Sequence, residues 1–490
     1  MKVSVTRKNI KITPDPSRVI ARFLDISDER KIDVIRNVMS MSEDEVNIAL
    51  NQLLRSYSKR HRNISRIFET HFNKLNHLLK YLGIYPNNVN QSRKVLIGSY
   101  FTMEYSIESA AFFNPSLVED PDQSGLGLHE KRVIISFRAT GEGHISSLVF
   151  RSAIIDKNID LIIEPVGKML AEADRIKKNI YEKESFINKL VEMGNFKNNI
   201  FAVLVLEKLD ESFTYGELKK AVEETRNTHH LSEDKDLIVN QMMWLAKSHY
   251  ELEFSLDSAI SERVIFPISE TEKKGIEDAR FVKFTDDNGE VTYYATYTAY
   301  DGITILPKLL ETKDFYHFRV LPIHGEIAQN KGMALFPRKI HDKYAMLCRI
   351  DGVNNFIAYS DTINIWHEAK LIQKPKYTWE LVQVGNCGSP IETKEGWLII
   401  THGVGPMREY VIGASLYELD DPEKEIGRLK TPLLTPNSEE REGYVPNVVY
   451  SCGSIIHNGN LIIPYAMSDY ASTYASIDLN ELLNELKNSN

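Results

Sequence analysis

The chain has 490 residues, of which 42% are hydrophobic and 26% charged, with a net charge of −9. That length allows two or three domains and a large core, and the acidic balance argues against broad non-specific binding to nucleic acid. Cys348, Cys387 and Cys452 are widely separated, with no CxxC pair, so neither a disulfide framework nor a zinc site is indicated and a reducing cytoplasm fits.

The N-terminal stretch MKVSVTRKNIKITPDPSRV alternates polar and apolar residues and lacks an apolar h-region. No apolar run approaches the roughly 20 residues that span a bilayer, so the reading is a soluble, cytoplasmic protein. Residues 1 to about 26 read as a short strand and an extended proline-containing segment. Ser27-Asp28 can then cap a helix from Glu29, and Ser42-Glu43-Asp44-Glu45 is a capping box opening a second. Ile48, Leu50, Leu53 and Leu54, then Ile64, Ile67, Phe68, Phe72, Leu75, Leu78 and Leu79, recur near helical spacing. They predict a helical arm whose amphipathic spacing suits self-association into a homo-oligomer. Its basic run, Lys59-Arg60-His61-Arg62, reads as a solvated face before a phosphate site.

From Val95 the apolar segments shorten. Arg132 to Arg138 is a strand candidate, followed by the loop Ala139 to His144 and a paired strand from Ser146 to Ile155. The two loop glycines, Gly141 and Gly143, allow close backbone approach, but a GxG alone commonly marks a tight turn. Helical signals return between about 165 and 260, including a capping box at Thr214-Tyr215-Gly216-Glu217.

After about residue 262 a turn, an aromatic-rich strand and a polar ending recur: TYYATYTAYDG, YAMLCRIDG, WLIITHGVG and LIIPYAMSD. With the Arg132 to Arg138 strand these make five copies, and those beyond 262 start at roughly the spacing of a four-stranded propeller blade. The predicted fold class is mainly β, a five-bladed propeller, divided as 1–95 (extended segment and arm), 96–164 (first blade region), 165–260 (helical insertion) and 261–490 (remaining blades). Blades around one axis would bring together residues at equivalent strand ends: Arg138, Tyr300 with Asp301, Arg349, His402 and Asp469.

The hexapeptide Gly275-Ile276-Glu277-Asp278-Ala279-Arg280 places two carboxylates beside a guanidinium. A carboxylic acid next to a fixed cation can donate a proton or clamp charge, and the same pair can equally form a surface ion pair.

The segments GIEDARFVKF, KGMALFPRKIHDKYAMLCR, GSPIETKEGWLIITHGV and IGRLKTPLLTPNSEEREGYVPNVVYSCG resemble glycoside hydrolase family 130, the β-mannoside phosphorylases and related mannosidases, from about residue 262 to 480. The strand ending at Arg138 matches more loosely. The resemblance implies a five-bladed propeller that uses inorganic phosphate as co-substrate, with no metal or organic cofactor, to cleave mannose-containing oligosaccharides with inversion and release α-mannose 1-phosphate. It implies Asp278 as general acid, with Ala279 where proline is usual, and a phosphate pocket of Lys331, Arg349, His402 and Tyr410, with Arg408 a competing candidate. On the sugar side it implies Arg138, with Asp301 and Asp469 as candidates for hydroxyls; from the residues themselves Arg280 can clamp charge, and Tyr300, in an aromatic run that packing within a blade largely explains, could stack on a sugar face.

Residue types alone leave duller alternatives open. Lys331 could be a solvated loop lysine, Arg349 a partner of Asp351, His402 a satisfied core histidine, and Tyr410 a core ring. Two rival functions also stand: a β-mannosidase in which Glu442 or another acid activates water, and a non-catalytic carbohydrate-binding propeller.

Overall fold

In the computed structural model, residues 3–175, 180–192, 199–228 and 234–489 are described. The chain is mainly β, and its principal strands fall into five antiparallel runs. Ala111–Glu119, Lys131–Thr140, Ser146–Ile155 and Leu161–Ile163 form the first. Gly275–Thr285, Val291–Tyr300, Ile305–Thr312 and His317–Pro322 form the second. These two belong to one twelve-stranded sheet and touch through the parallel pair Ser146 and Gly275. Gly275 sits at φ +149°, and a Cβ there would meet Ser146 at 3.0 Å, so the junction requires glycine.

The third run is Ala334–Leu335, Tyr344–Cys348, Asn355–Ser360 and Ala369–Gln373. Gln383–Asn386, Gly396–Val404, Tyr410–Tyr417 and Glu425–Arg428 make the fourth. The fifth contains Val449–Tyr450, Asn460–Met467 and Ala471–Asp478, and its outer partner is the N-terminal strand Val5–Arg7, paired with residues 475 to 477. That partner comes from the opposite end of the sequence.

Aromatic and β-branched residues dominate the middle strands because both faces of each are covered. Along Val291–Tyr300, Tyr293, Ala295, Tyr297 and Ala299 enter one hydrophobic cluster with Phe281 and Phe315. Tyr294 points the other way, into a cluster with Val282, Met333 and Trp366, as the period of two demands. The first strands of the runs meet one another. Phe281 N–H donates to Ser116 Oγ at 3.0 Å, Cys452 N–H to Pro115 O at 2.9 Å, and Asn386 Nδ2 to Gly332 O at 2.7 Å.

Between Asp28 and Tyr100 the chain forms five α-helices, the last running past residue 95. Ser42 and Glu45 make the reciprocal capping bonds that the sequence indicates. The helices enclose their own core of Phe72, Leu75, Leu79, Leu96 and Ile97. Arg18 anchors the chain leaving this region: its Nε donates to Glu108 at 2.7 Å, and Arg151 holds the same buried carboxylate at 2.9 Å.

The 165–260 region likewise builds a helical core, around Phe186, Phe201, Leu218 and Met242, and Thr214 with Glu217 caps one of its helices. Its last strand, Tyr250–Glu253, extends the second run by pairing with residues 317 to 320. Among the described residues no helix is long and apolar enough to cross a membrane.

Candidate active site

The strand Gly275–Thr285 does not pair evenly with its neighbour. Glu277 lies opposite Thr298 and Arg280 opposite Thr296, so three steps on one strand meet two on the other, which is a β-bulge. Asp278 occupies it at φ +55°, a left-handed conformation that Asp tolerates better than most residues. In a regular strand Glu277 and Asp278 would face opposite sides. The bulge turns both toward Arg138, whose Nη2 lies 2.7 Å from Glu277 and whose Nη1 lies 3.5 Å from Asp278.

Three further contacts complete this half of the site. Arg138 Nε donates to Ser146 Oγ at 2.8 Å, Asn114 Nδ2 to Asp278 Oδ1 at 2.7 Å, and Lys331 Nζ to Glu277 Oε2 at 2.6 Å. Burial works against ionisation of Asp278. The charges of Arg138 and Lys331, the Asn114 hydrogen bond and the charge of Arg280 outweigh it and hold the carboxyl below its usual range.

On the other side of Asp278, Arg280 is only 3% exposed. Its Nη1 donates to Asn386 O at 2.9 Å and also to the Asn386 side-chain oxygen, and its Nη2 donates to Tyr450 OH at 2.6 Å. His402 donates from Nδ1 to the same Asn386 carbonyl at 3.1 Å. Because that carbonyl can only accept, His402 Nε2 is left as an acceptor for Arg349 Nη1 at 3.1 Å, while the Gln383 side-chain oxygen accepts from the same guanidinium and its nitrogen donates to Gly352 O at 3.2 Å. Burial, reinforced by the charges of Arg349 and Arg280, pushes the His402 pKa well below its ordinary value, so the ring is neutral. Tyr410 stacks on it, with centroids 6.0 Å apart and planes 14° from parallel.

Among the described residues, neither Arg280 nor Arg349 has a carboxylate within salt-bridge distance, and Arg349 Nε is buried without a hydrogen-bond partner. Buried Arg280 and half-buried Arg349, two guanidiniums without a carboxylate partner among these residues, make a pocket that favours an anion.

Asp469 occupies the turn after Asn460–Met467, at φ +52°. Its carboxyl is pushed up to about 6 by burial and by the negative charge of Asp278, against the opposing pull of Arg138 and Arg408.

The structure therefore gathers Arg138, Asp278, Arg280, Lys331, Arg349, His402, Tyr410 and Asp469 from five strand runs. Tyr300 and Asp301 make their side-chain hydrogen bonds elsewhere. Asp301 accepts from Ile303 N, Thr304 N and Thr304 Oγ1, and Tyr300 OH donates to Gly302 O, all within their own turn. Asp351 likewise serves its turn through Val353 N and Asn354 N, leaving Arg349 to His402. Glu442 is exposed.

Sequence reasoning missed Asn114, Gln383, Asn386 and Tyr450. Asn386 immediately precedes the CGSP segment and Tyr450 lies in VVYSCG, so proximity to the quoted segments was the available signal. A cavity of about 10 Å³, room for one water, lies behind Asp278 between Arg280, Thr298 and Asn330. A wider cavity of about 990 Å³ opens among the other ends of the first strands, at Leu117, Pro337 and Ile456, away from this cluster. Among the described residues no group of His, Cys, Asp and Glu is placed to hold a metal ion.

The family model for glycoside hydrolase 130, described as β-1,4-mannooligosaccharide phosphorylase, matches residues 228–488. A 1,2-β-oligomannan phosphorylase from a Thermoanaerobacter species is 36% identical over 221 residues, 44% of this chain and 72% of that relative. A β-1,2-mannobiose phosphorylase from Listeria innocua is 32% identical over 253 residues, 50% of this chain and 68% of the relative. A solved structure of β-1,2-mannobiose phosphorylase from Listeria innocua in complex with β-1,2-mannobiose aligns with a TM-score of 0.45 at 21% identity, over 79% of this chain and 94% of that one.

Proposed function

The chain belongs to glycoside hydrolase family 130, and from that premise we propose that it is an inverting phosphorylase of β-mannosides that releases α-mannose 1-phosphate. The phosphorylase names of its relatives support the reaction class. The observation that carries the reading is a pair of guanidiniums near Asp278, buried Arg280 and half-buried Arg349, neither with a carboxylate at salt-bridge distance among the described residues. A hydrolase needs a second carboxylate to activate water, whereas phosphate is already an anionic nucleophile and needs cations to hold it in line.

In this mechanism Asp278 gives its proton to the leaving glycosidic oxygen, directly or through a sugar hydroxyl. A phosphate oxygen forms a bond to the anomeric carbon from the opposite face as the C–O bond breaks. Lys331, Arg349 and the Tyr410 hydroxyl hold the phosphate, and neutral His402 acts through Arg349, which it orients. Arg138 and Asp469 bind the mannosyl unit. In the free protein the cations keep Asp278 ionised, and a phosphate dianion bound among them cancels their pull, so the acid is loaded when the nucleophile arrives.

We further read the five strand runs as blades of one propeller, closed by Val5–Arg7 joining the last blade, with the arm and the 165–260 insertion outside it. Contacts between the first strands support that arrangement. A cytoplasmic location fits three cysteines that are all free and buried. Self-association through the arm fits exposed Tyr81 and Tyr85, and an unchanged sedimentation coefficient in the Tyr81→Ser, Tyr85→Ser double variant would remove it.

The testing experiment is synthesis in reverse: protein, α-mannose 1-phosphate and a panel of acceptor sugars, following phosphate release. Acceptor-dependent release that is lost in Asp278→Asn supports the reading. No release with any acceptor, alongside cleavage of manno-oligosaccharides in phosphate-free buffer, rejects it.

A further inference from the structure

Two exposed rings far apart in the sequence, His144 and Tyr444, meet beside this site. His144 and Tyr444 lie with centroids 5.6 Å apart and planes 32° from parallel. Tyr444 is 61% exposed, and His144 is exposed as well. His144 stands two residues before Ser146, the partner of Arg138. The loop carrying Tyr444 is bonded beside Asp469, with Val445 N–H donating to Ser468 O at 3.0 Å. An exposed aromatic pair next to the sugar-facing groups, with no packing duty of its own, presents apolar ring faces suited to the C–H face of a sugar.

The supports of this pair are rigid. Tyr105, buried in the short strand that follows the helical arm, donates from its hydroxyl to Glu142 O at 2.7 Å. A Cβ on Gly141 would lie 2.4 Å from Ser106 O, so the loop rests directly on that strand. Gly143 and His144 both take left-handed φ, of +66° and +59°. The strand Thr102–Ser106 thus fixes the backbone of the loop that carries His144, the preorganisation a binding platform needs.

Direction assigns the occupant. Inversion requires phosphate and leaving sugar on opposite faces of the reacting carbon. The proposed phosphate groups come from the segment leading into the third strand run and from the third and fourth runs themselves, whereas Asn114 and Arg138 hold Asp278 from the first. The leaving sugar therefore departs toward the first and fifth runs, where His144 and Tyr444 stand.

We propose that His144 and Tyr444 form the stacking platform for the leaving (in synthesis, acceptor) saccharide, with Tyr105 as a positioning residue. This rests on the phosphorylase reading above. The test is initial-rate synthesis from α-mannose 1-phosphate, with mannose and a β-mannobiose as acceptors. His144→Ala and Tyr444→Ala each raise the acceptor KM by ~2–10-fold, Tyr444→Phe restores it, and the KM for α-mannose 1-phosphate stays put. Tyr105→Phe raises the acceptor KM while leaving kcat at saturating acceptor unchanged. An acceptor KM unaltered in the His144→Ala, Tyr444→Ala double variant, or equal rises for both substrates, overturns the platform while leaving the phosphorylase reading intact. A wild-type protein that releases no phosphate with any acceptor overturns both.

Discussion

Arg138 Nη2 lies 2.7 Å from Glu277 Oε1 while its Nη1 lies 3.5 Å from Asp278 Oδ1, so one guanidinium grips two consecutive carboxylates. Only the bulge at Asp278 permits this, and it ties the first strand run to the strand bearing the proposed acid. Asp278→Asn keeps the shape and the Asn114 contact within reach but removes the proton. Phosphorolysis kcat should fall by ~10²–10⁴-fold, with thermal stability at neutral pH within a few degrees of wild type by calorimetry. An Asp278→Asn variant with full activity would exclude this residue as the acid.

The same electrostatics predict a phosphate-dependent pH profile. With Asp278 held low by Arg138, Lys331 and Arg280 in the free protein, the acid form is lost as pH rises through that low value. Bound phosphate offsets those cations and raises the pKa. Rates measured from pH 4 to 8 should therefore show their alkaline decline at higher pH under saturating phosphate than under limiting phosphate. Coincident declines would contradict the coupling.

Arg349→Ala removes a charged donor from the proposed phosphate pocket and takes from His402 Nε2 its donor, leaving the Nδ1 bond to Asn386 in place. At ~1.5–3 kcal/mol for hydrogen bonds to a charged group, the KM for phosphate should rise by roughly 10–100-fold. The KM for the mannoside should change little. Steady-state kinetics with each substrate varied in turn separate the two.

Asp469 gives a stability test of definite sign. Its folded pKa of about 6 lies above the ordinary 3.8, so its contribution is fully present below the unfolded value and is lost as pH rises through the folded one. Asp469→Asn should therefore stabilise the protein at pH 7 to 8, by about 1–3 kcal/mol, and the gain should vanish near pH 3.5. Urea unfolding at the two pH values reads it directly.

Beneath the acid strand, Lys308 Nζ donates to Glu272 at 2.7 Å, both side chains are fully buried, and the hydroxyls of Tyr250 and Tyr297 complete the carboxylate's shell. Lys308→Met leaves that charge unpaired and should cost ~3–5 kcal/mol. The exposed pair Arg60–Glu104 should cost under ~1 kcal/mol when broken by Arg60→Ala. Chemical denaturation of both variants compares them.

Local signals were legible in the sequence, and long-range ones much less so. Ser42 and Thr214 announce their helices because a capping box is contained in four residues. The recurring strand pattern placed Arg138, Arg349, His402 and Asp469 at strand ends that the fold does bring together. The same logic pointed to Tyr300 and Asp301, whereas the turn bonds that Asp301 makes with Ile303 and Thr304 were not foreseen. Nothing local marks Val5–Arg7 as a partner for a strand at the far end of the chain. The bulge at Asp278 was equally hidden, since it is defined by register with a neighbouring strand and stabilised by Asn114, distant in sequence.

The most direct measurement is phosphorus NMR of the protein incubated with a β-mannobiose and inorganic phosphate, paired with the same incubation in phosphate-free buffer. The account predicts α-mannose 1-phosphate accumulating in step with cleavage, and no cleavage without phosphate. Free mannose released at the same rate in both incubations, with no sugar phosphate formed, would contradict it.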